Sequence, residues 1–86
     1  MKLESFIKRL ENHKAVNYCY HNDLAEGIIS IWKYNHKYVL TWEECVIGNQ
    51  YNENAYIKDE KHEFAEIGKL LEFLDRNSLR VDDFTP

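Results

Sequence analysis

Hydrophobic positions along this chain recur with two different periods, and the changes of period mark out the elements. Leu3, Phe6, Ile7 and Leu10 fall at i, i+3, i+4 and i+7, so they share one stripe of a helix whose other side carries Glu4, Lys8, Arg9 and Glu11. The spacing predicts a surface helix over residues 2–13, ended by Asn12 and His13. Val16, Tyr18 and Tyr20 then alternate with Asn17, Cys19 and His21, the two-residue period of a strand over 15–21. The turn formers of His21–Gly27 read as a connecting loop.

Ile28–Tyr34 and Lys37–Glu43 are rich in β-branched and aromatic residues, and Asn35-His36 between them is a two-residue junction whose first member tolerates a positive φ. That turn sets a hairpin register: Tyr34 opposite Lys37, Trp32 opposite Val39, Ile31 opposite Leu40, Ile29 opposite Trp42. One face then holds Ile29, Ile31, Tyr38, Leu40 and Trp42 and is the predicted core face. The other holds Ser30, Trp32, Tyr34, Lys37, Val39 and Thr41, a mixed surface with a large aromatic in its middle.

Residues 44–58 are less periodic. Val46-Ile47 and Ala55-Tyr56-Ile57 look extended around the polar, turn-prone stretch 48–54, which suggests a second, looser hairpin. From Asp59 the pattern reads as helix again, over 60–76: Phe64, Ile67, Leu71 and Leu74 make a stripe that Leu70 and Phe73 widen. Asn77 suits the left-handed closing position, with Leu79 for the accompanying apolar contact, and Phe84 docks the tail. The expected fold is α+β, a two-layer sandwich in the order α-β-β-β-(β)-α. Both helices lie on one face of a three- to four-stranded antiparallel sheet and leave the other face open.

Composition narrows the function classes. At 86 residues the chain is one domain, and 44% hydrophobic with 14% aromatic residues is the make-up of a folded core. No apolar run approaches a membrane span, and the N-terminus lacks the pattern of a secretory signal, so a cytoplasmic protein is expected. The net charge of −4 gives a phosphate backbone no general reason to bind. The charge is also uneven: residues 1–42 hold six Lys+Arg and four Asp+Glu, residues 43–86 five and eleven. A one-signed patch in the second half, drawing on Glu43, Glu44, Glu63, Glu66 and Asp75, would steer a basic partner surface into contact.

Candidate chemistry is sparse. The four histidines lie on four different elements at no metal-ligand spacing, and no phosphate loop, nucleophile elbow or zincin motif occurs, so no metal, cofactor or catalytic residue is assigned. Cys19 and Cys45, 26 positions apart, read as two buried free thiols of a reducing cytoplasm. Cys19 and His21 share a strand face, which admits a Cys/His nucleophile as an alternative, but no activating helix terminus or orienting acid accompanies them. Glu43 and Glu44 point to opposite sides of their strand and make no acid–base dyad. Trp32, Tyr34 and Val39 on the open face are the better candidates, because amphipathic aromatics dominate protein interfaces.

In length, acid balance and order of elements the chain resembles the small phage-encoded anti-CRISPR proteins that inhibit Cas9-type nucleases, and bacterial toxin-immunity proteins. The residues carrying the likeness are the helix Ser5–Asn12, the hairpin strands Gly27–Ile31 and Lys37–Glu44, and the acidic helical half. The resemblance implies a cytoplasmic inhibitor that occludes a larger protein with a basic surface, a nuclease or toxin, and assigns no site residue. A structural or regulatory homodimer joined through the open sheet face is the alternative.

Overall fold

The stripe of Leu3, Phe6, Ile7 and Leu10 does form a helix, α1 (Leu3–Glu11), which buries Phe6 and Leu10 completely. It opens a computed structural model that describes residues 1–47 and 56–86. Asn12 caps the helix and His13 closes it at φ 58°, with the His13 amide on the Leu10 carbonyl (2.9 Å) and the Lys14 amide on that of Arg9 (3.0 Å). This pair of bonds is a Schellman closure, here with histidine in the left-handed position that glycine commonly fills.

The chain then runs through β1 (Val16–His21), β2 (Ala25–Tyr34), β3 (Lys37–Val46), β4 (Tyr56–Phe64) and α2 (Ile67–Arg76), followed by a 3₁₀ turn at Val81–Asp83. The four strands pair antiparallel in sequence order. The architecture is thus α+β, in the order α-β-β-β-β-α. The β2–β3 register is the one the Asn35-His36 turn sets, with Tyr34 opposite Lys37 and Ile29 opposite Trp42, and Asn35 takes φ 56°.

Both helices pack on the predicted core face. Phe6, Leu10, Val16, Ile29, Ile31, Tyr38, Leu40, Trp42, Leu70, Leu74 and Phe84 form one cluster. Phe84 is 0% exposed and meets Phe6 edge-on at 5.7 Å, while Thr85 pairs with Asn17, so the tail closes the core along the β1 edge. Glu11, at the end of α1, accepts from Lys33 Nζ at 2.7 Å and from the Tyr38 hydroxyl, which pins the helix across β2 and β3. Lys33 first, then Tyr38, hold the Glu11 carboxyl below the usual glutamate range.

The structure corrects the sequence reading at three places. The loop expected at 21–27 shrinks to a tight turn, because Asn22 Oδ1 accepts both the Leu24 and Ala25 amides at 2.9 Å and lets β2 start at Ala25. The helix expected over 60–76 begins only at Ile67, and residues 60–64 belong to strand β4. The two-residue period is masked there because the inward side chains are polar: Lys58 lies 3.6 Å above the Trp42 ring and His62 sits 4.6 Å from Phe73, so the aromatics of neighbouring elements supply the apolar contact. The α2 stripe consequently centres on Leu70 and Leu74, with Leu71 half-buried at its flank. The left-handed residue closing α2 is Ser78 (φ 58°), one place beyond Asn77, which is the cap itself. The polar turn expected at 48–54 lies outside the described residues, while the strands flanking it, β3 and β4, are paired, with a register shift at Glu44/Cys45.

Candidate partner-binding face

Strand pleating decides which residues can form a site on the uncovered side of the sheet. The pairing puts Asn17, Cys19 and His21 of β1 beside Glu26, Ile28, Ser30, Trp32 and Tyr34 of β2. Next come Lys37, Val39, Thr41, Glu43 and Cys45 of β3, then Asp59, Lys61 and Glu63 of β4. Among the described residues neither helix covers this face, since both contribute to the cluster on the other side.

The expected site residues divide. Trp32 is half-buried and Tyr34 is 66% exposed, both on the open face as the register requires. Val39 shares that face but is only 4% exposed. It forms the floor of a hollow of about 280 Å³ at the hairpin tip, lined also by Tyr34, His36, Lys37 and Glu63. Glu63 joins Lys37 at 4.0 Å, an exposed pair whose contribution is small. Glu43 also lies on the open face, directly opposite Asp59.

Glu44, Glu66 and Asp75 do not join them. Glu44 points to the helix side, where its Oε1 accepts the Tyr20 hydroxyl at 2.5 Å while that hydroxyl accepts Trp42 Nε1–H at 2.9 Å. Burial, then the bond to Glu44, push the Tyr20 phenol up to about 12. Glu66 occupies the position just before α2 without a side-chain capping bond, and Asp75 lies in the last turn, both exposed and in the helix layer. The acid of the second half is therefore spread over two faces of the molecule, and only Glu43 and Glu63 of the expected carboxylates share a surface with the aromatics.

A second hollow, of about 380 Å³, opens at the end of the sheet away from the hairpin tip. Cys19, His21, Glu26, Ile28, Glu43, Cys45 and Tyr56 line it, with Tyr20, Gly27 and Glu44. Extending the hairpin ladder two rungs past Ile28 and Glu43 pairs Glu26 with Cys45 on this same face, so the signal was present in the sequence. Reading Gly27 as loop concealed it. Gly27 is paired with both Tyr20 and Glu44 in the ladder, and the Tyr20 ring lying across it leaves no space for a Cβ, which is why a glycine stands within the strand.

Cys19 and His21 do share this hollow, but no hydrogen bond joins them, and both are exposed; of the two thiols expected to be buried, only Cys45 is, because Cys19 points outward from the edge strand β1 on the uncovered face. The Cys45 thiol is buried, and burial followed by the charges of Glu26, Glu43 and Glu44 pushes its ionisation upward, away from a nucleophilic thiolate. Strand β2 separates the two cysteines, which keeps them roughly 10 Å apart at least and beyond disulfide reach. Among the described residues no group of three or more His, Cys, Asp and Glu is placed to hold a metal ion. No helix of the described residues is long and apolar enough to cross a membrane. No protein family, curated protein or solved structure matches the chain.

Proposed function

We propose that this protein is a small binding protein of the cytoplasm that occludes a functional surface of a larger, basic protein, in the manner of an anti-CRISPR or toxin-immunity inhibitor. The observation that carries this reading is the sheet face left uncovered by both helices, with Tyr34 projecting from it, Trp32 half-buried beside it, and Glu43, Asp59 and Glu63 along its β3 and β4 side. Aromatic anchors of this kind supply affinity, and the carboxylates supply encounter rate.

Affinity capture from a lysate of the native host, or against a panel of nucleases and toxins, tests the reading with the parent chain and a Trp32→Ala/Tyr34→Ala variant as baits. A basic protein retained by the parent, released by the variant and inhibited by the parent in its own assay supports it. A parent chain that sediments as a homodimer, with the variant monomeric and no protein captured, overturns it in favour of a dimer joined through this face.

A further inference from the structure

The end of the open face opposite the hairpin tip combines charge and apolar exposure in a way the tip does not. Glu43 stands directly across from Asp59, and neither carboxylate takes part in an ion pair among the described residues. Like charges placed opposite each other in a ladder repel, so this pair costs stability as it stands. Glu26 of β2 also lines the hollow, and among the described residues no Lys or Arg does. Between them lie Ile28, 39% exposed, and the buried Cys45 thiol. Around the same end Leu24 is 79% and Ile57 58% exposed, far more apolar surface than a solvated strand end requires.

We propose that this hollow receives a guanidinium or ammonium side chain of the partner protein, held by Glu26 and Glu43 of its lining with Asp59 across the strand pair from Glu43, and with apolar residues flanking that cation packed on Leu24, Ile28 and Ile57. The inference rests on the partner-binding reading above and names the chemistry that reading leaves open. Charge complementarity selects the occupant: a cation relieves the Glu43–Asp59 repulsion, which an acidic or neutral side chain leaves in place. Arg fits the geometry better than Lys, since its planar fork can engage two carboxylates while its face lies on an apolar floor.

Amide chemical-shift mapping of the full chain with acetyl-arginine amide as probe, and acetyl-citrulline amide as its uncharged counterpart, tests the proposal. Saturable shifts at Cys19, Gly27, Ile28 and Cys45 in the millimolar range are expected from the arginine probe alone, as suits a single side chain removed from its protein. Glu26→Gln/Glu43→Gln should weaken the probe by at least about 5-fold, and Glu66→Gln/Asp75→Asn, which removes the same charge from α2, by less than about 2-fold. The urea midpoint of Glu43→Gln should equal or exceed the parent's, because the repulsion is gone; a lower midpoint would mark Glu43 as structural and overturn the assignment. Equal shifts from the citrulline probe, shifts spread over α2, or equal losses in both double variants would also overturn it. Where the arginine probe fails and the Trp32/Tyr34-dependent partner is still captured, the binding reading stands and this site falls; where no partner is captured, the binding reading itself falls.

Discussion

On the helix side of the sheet Ile29, Ile31, Leu40 and Trp42 lie beneath Phe6, Leu70, Leu74 and Phe84, whereas on the other side Ile28, Trp32, Val39 and Thr41 have only strand neighbours beside them among the described residues. The first face excludes water by being covered. The second does so unevenly: Val39 and Cys45 of β3 are buried, while Tyr34 and Ile28 of the neighbouring β2 are exposed. A covered face holds its residues in place by packing, so each is needed for stability. An uncovered face can keep apolar residues that stability does not require, and those are free to serve binding.

That difference is broken most directly at Leu40 and Leu74, both essentially without exposure at the meeting of sheet and α2. Leu40→Ala and Leu74→Ala should each cost about 2–5 kcal/mol, read from urea or thermal unfolding. Leu71→Ala should cost visibly less, since Leu71 flanks the stripe. Equal losses at Leu71 and Leu74 would place the α2 stripe one position away from where the structure has it.

The two faces were also unequally legible. The hairpin ladder followed from the Asn35-His36 turn and the alternation around it, and once the register was set every rung from Tyr34–Lys37 to Ile29–Trp42 was fixed. Strand β4 was not legible in the same way, because Lys58, Glu60 and His62 turn toward the helix layer and are accommodated by Trp42 and Phe73, contacts that exist only after folding. With charge on both sides of the strand, period two carries no hydrophobic signal, and Phe64 then attached itself to the helical stripe that follows. The candidate site divided along the same line: Trp32 and Tyr34 were placed by the hairpin, while Glu26 and Cys45 lay past a glycine that local propensity assigns to a loop and that only the Tyr20 ring explains.

Gly27 lies at the border of the two faces and sharpens the comparison. A Cβ there runs into the Tyr20 ring, so Gly27→Ala must displace the ring and strain its bonds to Glu44 and Trp42. The expected loss is about 1–3 kcal/mol, the range of an overpacked site, and Tyr20→Ala should remove the additional penalty of the alanine in a double-mutant cycle. Additive losses would mean that the ring and the glycine are independent.

The same phenol gives a pH signature. Its folded-state ionisation is raised from 10 to about 12 by burial first and by Glu44 second, so its contribution is fully present below pH 10 and is lost as pH rises from about 10 to about 12. Part exposure limits the size to roughly 1–2 kcal/mol. Urea midpoints measured across that interval should fall more steeply for the parent than for Tyr20→Phe, and identical slopes would remove the Tyr20–Glu44 bond from the account.

The smallest effect on folding is expected at Tyr34, which is where the open face differs most from the covered one. Its ring is 66% exposed at the hairpin tip, next to a turn whose geometry is set by Asn35, so Tyr34→Ala should leave stability within about 0.5 kcal/mol of the parent. Against a captured partner the same change should mainly speed dissociation, because a truncated anchor weakens the formed complex more than the encounter. Stopped-flow association and dissociation, measured beside urea unfolding, separate the two quantities. A Tyr34→Ala protein that loses stability but binds as before would show that the exposed ring belongs to the fold and would move the binding surface away from the hairpin tip.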